Sequence, residues 1–204
     1  MKRRIFLLSP AHCGGERARL VFSPAARFDL AQRLRGPGGA PLGEVFSFLS
    51  GLYFRGKLAY AEAFARPPAG HSGVLVITPT DGLVPAVEMV DLARLRRFAE
   101  VDIDAGNPRY VEPLRRDALR FAPLLGARCD VVLLGSIATG KYLDPLLEVF
   151  GERLRFPADF VGRGDMSRGG LLLRCARVGA ELDYVGVRGA VRHGVRPPRL
   201  VRAP

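Results

Sequence analysis

Three uninterrupted apolar runs constrain what this chain can fold into: Ile5–Leu8, Val74–Thr78 and Val131–Leu134. None alternates polar with apolar residues, so each must bury both of its faces, as central strands of a sheet covered on both sides do. Helical patterns lie between them. Ser23-Pro24 offers an N-cap and a first-turn proline for a helix over residues 25–35, closed by Gly36-Pro37-Gly38-Gly39. From 44 to 65 the stripe Phe46, Leu49, Tyr53, Tyr60, Phe64 predicts one long helix, with Lys57 inside the stripe. A short helix is expected at 92–99, within an otherwise irregular segment from 81 to 107. Another opens at Glu112-Pro113, with Leu114, Ala118, Phe121 and Leu125 inward. A further short helix starts at Asp144-Pro145, and residues 171–174 and 182–187 read as strands. Strands alternating with helices at this spacing predict an α/β three-layer sandwich with a mixed, largely parallel central sheet. Residues 1–188 are expected to form one domain. The stretch 189–204, with Arg192, Arg196, Arg199 and Arg202 among prolines, reads as a mobile basic tail.

The charge narrows the partner. Lys and Arg number 31 against 20 Asp and Glu, a formal net charge of +11. A field of that sign attracts nucleic acid or another polyanion. Lysine occurs only at positions 2, 57 and 141, so the excess is almost all arginine, which a GC-rich genome would also produce. The three cysteines, Cys13, Cys129 and Cys175, are odd in number and widely spaced, which argues against a disulfide framework and for a reducing compartment. No Cys-x-x-Cys pair occurs and His is scarce, so no metal site is expected, and no motif calls for a cofactor. The apolar run after Met1-Lys-Arg-Arg stops at Ser9-Pro10, too early for a signal peptide, and no stretch is long enough to span a membrane. The cytoplasm is the expected location.

Four constellations carry chemistry. Gly135-Ser136-Ile137-Ala138-Thr139-Gly140-Lys141 follows the strand at 131–134 and has the Gly-x4-Gly-Lys spacing of a phosphate-cradling loop. Tyr142 stands where a magnesium-binding Ser or Thr belongs, and Pro145 interrupts the following helix, so nucleotide hydrolysis is the weakest reading. Gly162-Arg163-Gly164-Asp165-Met166-Ser167-Arg168-Gly169-Gly170 reads as a glycine-rich loop before the strand at 171, with Arg163 and Arg168 able to fork onto phosphate. Its alternative is a solvated turn. Ser9-Pro10-Ala11-His12-Cys13-Gly14-Gly15 follows the first strand; His12 either enters a site there or is simply solvated. Lys57 either snorkels to a rim or enters a cleft between helix and sheet.

Three of these pieces occur in one order in a known family. Ile5-Phe6-Leu7-Leu8-Ser9-Pro10-Ala11-His12 resembles the opening Leu-Ile-Ser-Pro-Ala-Lys segment of the bacterial peroxide stress-resistance family, the YaaA-like proteins, with His12 where that family has Lys. Arg163-Gly164-Asp165-Met166-Ser167-Arg168 resembles that family's late Arg-Gly-x-Met-Ser-Arg loop, and Leu134–Tyr142 stands where it has a Ser-containing loop with an aromatic-Lys pair. The resemblance implies a compact α/β fold, DNA binding and protection of DNA under oxidative stress. More loosely, the strand-loop order is similar to uracil-DNA glycosylase-like folds, and Gly82-Leu83-Val84-Pro85 to glycosylase-like domains of tRNA-modifying enzymes, although the glycosylases' own catalytic motifs are not found. Two readings follow. In the first, a nucleic acid, DNA before RNA, lies on a basic face and on the glycine-rich loops through Ser9, His12, Lys57, Ser136, Thr139, Lys141, Arg163, Asp165, Ser167 and Arg168. In the second, the same loops surround a pocket for a base, with Asp165 or Asp81 as the base catalyst, Ser167 or Ser136 bonding the substrate and Arg168 holding phosphate. The binding reading leads, and whether the chain is an enzyme stays open. Convergence of Ser9, Ser136 and Arg168 in one cleft would favour the second.

Overall fold

The computed structural model describes residues 2–138, 140–191, 194, 195 and 197. At its centre lies a six-stranded sheet. The strand β1 (Arg4–Leu8) is paired in parallel on one side with β3 (Val74–Ile77) and on the other with β6 (Asp130–Leu134). The three apolar runs are therefore neighbours, as expected, and Ile5–Leu8, Val76, Ile77 and Val131–Leu134 are wholly shielded from solvent. The short strand β7 (Leu154–Pro157) continues the parallel part beside β6. The antiparallel strands β4 (Leu83–Pro85) and β8 (Tyr184–Gly186) close the two edges, giving the order β4-β3-β1-β6-β7-β8. A two-stranded ribbon pairs β2 (Ala40–Pro41) with β5 (Met89–Val90).

Helices cover both faces, which is why the central strands are apolar throughout. On one face α4 (Leu52–Phe64) lies against β1 and β3, and α8 (Asp165–Val178) crosses it. On the other, α6 (Pro108–Leu124) and α7 (Gly140–Phe150) pack together over β4 and β7. The architecture is an α/β three-layer sandwich with a mixed, mostly parallel sheet. The remaining helices are α1 (Glu16–Phe22), α2 (Asp29–Arg35), α3 (Leu42–Ser50) and α5 (Leu92–Ala99). Among the described residues no helix is long and apolar enough to cross a membrane. Cys13, Cys129 and Cys175 are all free and buried.

Several local expectations are corrected. The stretch 162–170 is not a loop leading into a strand: Asp165 opens α8, and Leu171–Arg174 is helical. Its buried positions, Gly169, Leu171, Leu172 and Cys175, recur at spacings of three and four, a helical stripe that the run of leucines conceals. Its glycines serve contact rather than flexibility. A Cβ on Gly56 of α4 would stand 2.5 Å from the Gly169 carbonyl oxygen, and one on Gly169 would stand 2.8 Å from the Tyr53 Cα. The two helices meet backbone to backbone. The long helix over 44–65 is two helices, broken at Gly51, whose φ of +66° other residues rarely adopt. Ser23 ends α1 instead of opening a helix at 25, because the Arg35 guanidinium takes up the carbonyls of Val21, Ser23 and Ala26 and holds that segment as a turn. Helix α6 starts at Pro108, where the Asn107 side chain accepts the Arg109 N–H, rather than at Glu112. Helix α7 already runs from Gly140 and carries Pro145 inside it. The segment 81–107 holds β4 and β5 besides α5. Of the expected tail, Arg192, Arg196, Arg199 and Arg202 lie outside the described residues, and a Cβ on Gly162 would stand 2.2 Å from the Val195 carbonyl oxygen.

Candidate functional site

From β1 the chain crosses to β3 on one side and later returns to β6 on the other. The loops leaving the carboxyl ends of β1 and β6 therefore diverge, and in open α/β sheets such a switch point is where ligands bind. Here it opens into a cleft of about 740 Å³, within the usual range of small-molecule sites. Ser9, His12 and Cys13 come from the loop after β1, Pro79 from the end of β3, and Ser136 from the loop after β6. Tyr53 and Lys57 rise from α4, Lys141 and Tyr142 from the start of α7, and Asp165 from α8. Phe98, Val101, Asp102 and Asp104 close the remaining wall.

Lys57 lies at the bottom of this cleft, 1% exposed. It occupies an inward position of α4 between Tyr53, Phe54, Tyr60 and Ala61, so its stem cannot swing to the rim. Its Nζ lies 2.6 Å from the Ser9 carbonyl oxygen and 2.8 Å from Ser9 Oγ, and 4.6 and 4.7 Å from the ring centres of Tyr53 and Phe54. Among the described residues it has no carboxylate in ion-pair contact. Burial pulls its pKa down from 10.5 to about 7, against a smaller upward pull from Asp165. Ser9, itself buried, donates its N–H to the Leu134 carbonyl, which extends the β1–β6 ladder and holds the hydroxyl in place. The Tyr142 phenol accepts the Ser136 N–H at 2.9 Å; burial raises its pKa, and this hydrogen bond and the neighbouring Ser9 hydroxyl pull it partly back. Gly135 makes this possible: a Cβ there would come within 2.8 Å of Ser9 Cβ and 3.0 Å of the Tyr142 oxygen. The buried Ser9, Lys57 and Tyr142 and the half-buried Ser136 thus form one polar cluster where β1 and β6 end.

No known family model, curated protein or solved structure matches this chain. The site has to be read from its own chemistry.

Of the residues singled out in the sequence, the structure brings Ser9, His12, Lys57, Ser136, Lys141 and Asp165 to the cleft. Thr139 lies outside the described residues. Arg163, Ser167 and Arg168 are not among the residues that line it. Arg163 donates to the Asp159 carbonyl and to Ser167 Oγ. Arg168 donates from Nε and Nη2 to the Phe160 carbonyl at 3.2 and 3.0 Å, lies over the Phe160 ring, and keeps Nη1 3.5 Å from Asp165. These side chains anchor the first turn of α8 to the turn at 158–160. Arg168→Lys is therefore expected to lower stability by about 1–2 kcal/mol, through one lost bond to a shielded carbonyl, and to leave any binding of nucleic acid unchanged. Lost affinity at unchanged melting temperature would put the guanidinium on the ligand instead.

Asp81 is held by Arg94 at 2.6 Å and by the Thr80 hydroxyl, and it is not among the residues lining the cleft. His12 and Cys13 do not form a nucleophile pair, because burial pushes the Cys13 thiol up to about 12 and its Sγ faces the Ala11 carbonyl. Sequence reasoning missed Tyr53, Tyr142 and the wall from 98 to 104. Tyr142 carried a signal, since it replaces the hydroxyl residue expected after a phosphate-loop lysine. Asp102, Asp104 and Asp165 line the cleft together with Lys57, Lys141 and His12, so it is of mixed charge and not a basic groove.

Proposed function

We propose that this chain is an enzyme acting on a nucleic acid, and that the cleft receives one nucleotide drawn out of the strand while surface arginines hold the backbone. The observation that carries this reading is the cluster at the switch point, where the buried Ser9, Lys57 and Tyr142 meet the half-buried Ser136. A protein that only coats DNA needs surface cations and has no use for a desolvated lysine bonded to a serine at the bottom of a cleft. The walls suit a base: Tyr53, Phe98 and Tyr142 offer aromatic surface, while Ser136, Asp102 and Asp165 offer polar groups for its edge. The net charge of +11 supplies long-range attraction to phosphate and also supports the DNA-protection reading that the family resemblance implies.

Duplexes with and without a mismatched 2-aminopurine separate the two. The mismatched duplex is expected to bind about tenfold more tightly, since a weakly paired base costs less to extract, and its fluorescence should change on binding. With four to six phosphates neutralised, the log–log salt slope is expected on the order of −4 to −5. Equal affinity for both duplexes without a fluorescence change would return the chain to backbone binding. Affinity independent of salt would remove nucleic acid as the partner.

A further inference from the structure

We propose that Ser9 is a nucleophile and Lys57 its general base, and that the cleft transfers a phosphoryl group of a phosphodiester through a covalent Ser9 intermediate. This deepens the reading above, sharing its cleft and its nucleic-acid substrate.

The geometry is that of a nucleophile with its base. Lys57 Nζ stands 2.8 Å from Ser9 Oγ, within the reach that proton transfer requires. The Ser9 carbonyl, 2.6 Å from the same nitrogen, takes one N–H and fixes the amine's orientation, so that in the neutral amine the lone pair is free to face the hydroxyl. The rings of Tyr53 and Phe54 wall off the rest of the amine, and its desolvation favours the neutral, basic form near neutral pH. Ser9 and Lys57 both line the cleft, so the pair opens onto bound substrate.

The electrophile follows from what lies beside the pair. The Gly135-x4-Gly140-Lys141 segment leaves the strand next to β1, and Lys141 presents an exposed ammonium on the same wall. A cation there suits the charge carried by a phosphoryl group in transfer. In the first half-reaction Oγ attacks phosphorus while its proton passes to Lys57. The bond from phosphorus to the leaving sugar oxygen breaks, and that oxygen takes the proton from Lys57. In the second, water attacks the phosphorus of the Ser9 phosphodiester, its proton passes to Lys57, and Ser9 Oγ departs with that proton, releasing the phosphomonoester. Water is the one co-reactant, and both residues end as they began.

A fluorophosphonate tests the pair, because the nucleophile displaces fluoride from phosphorus and leaves a stable adduct. The full chain is expected to take up one adduct, located at Ser9 by mass spectrometry. Ser9→Ala should show none, and Lys57→Met should slow the reaction on the order of 100-fold or more while keeping its cooperative thermal transition. No adduct at Ser9, or an equal rate in folded Lys57→Met, overturns the proposal. Bis(p-nitrophenyl) phosphate is expected to give a burst of about one equivalent of nitrophenolate. A burst with p-nitrophenyl acetate alone would overturn the phosphoryl assignment. Selective binding of the mismatched duplex by the parent chain keeps the nucleotide-cleft reading separate, since it survives if Ser9 proves unreactive.

Discussion

Replacing Lys57 by methionine is expected to raise stability at pH 6 and to abolish a rise in stability that the parent chain shows between pH 7 and 10. Burial lowers the amine's pKa from 10.5 to about 7. Below pH 7 the amine is protonated in both folded and unfolded chains, so the folded state bears the whole cost of a buried cation. Between 7 and 10.5 the folded chain holds a neutral amine while the unfolded chain still binds the proton. Unfolding then takes up a proton, and stability increases with pH. At about 1.4 kcal/mol per pH unit the full gain is on the order of 4 kcal/mol. Methionine has a similar length and no charge, so its profile should be flat over this range. Part of its advantage at pH 6 is offset by the lost hydrogen bonds to Ser9, about 1–3 kcal/mol, which leaves a net gain of about 1–3 kcal/mol. Cys13 and Tyr53, with pKa values raised by burial, also affect the alkaline limb, so the difference between parent and variant is the quantity to measure. Urea unfolding at half-unit pH steps would show it. A parent curve flat from 7 to 10 would mean that the amine keeps its proton in the cleft.

The second large effect is expected where α4 and α8 cross. In an exposed helix, Gly→Ala stabilises by up to about 1 kcal/mol. For Gly56→Ala the sign should reverse, because the new methyl would stand 2.5 Å from the Gly169 carbonyl oxygen and no side chain can move out of its way. The helices would have to separate, at about 2–3 kcal/mol for an overpacked contact. Gly169→Ala meets the backbone of Leu52 and Tyr53 and should behave alike. Both changes would also move Tyr53 and Lys57 relative to Ser9. Melting temperatures several degrees below the parent's are expected for each. A variant as stable as the parent would show that the crossing is looser than these distances.

What could be read from the sequence was set by burial on both faces. Ile5–Leu8, Val74–Ile77 and Val131–Leu134 have no polar side to mask the pattern, and they stand as neighbours at the centre. Strands β4 and β7 escaped because they are three and four residues long, end in proline, and in β7 include Arg155. Helix α8 escaped because glycines that permit close helix contact look, in one dimension, like those of a loop. The same limit applied to the cleft. Ser9, Lys57, Ser136 and Lys141 follow strand ends or break an apolar stripe, and such anomalies show in a sequence. Tyr53 and Phe98 look like ordinary core residues, and only the fold brings them to the cleft. The motif around Arg168 is distinctive in the sequence, while the Phe160 carbonyl that its guanidinium bonds within the fold has no side-chain signature.

The place of β1 in the sheet has a consequence for biosynthesis. Phe6 pairs with Val74 and Arg4 with Asp130, so the strand made first is completed on its second side only after β6 has left the ribosome. Until then Ile5–Leu8 is an apolar, β-prone segment without a ladder partner on that side, open to chaperones and to other nascent chains. Stalled intermediates ending between β3 and β6 should therefore bind a holdase through this N-terminal segment and release it once residue 134 has emerged.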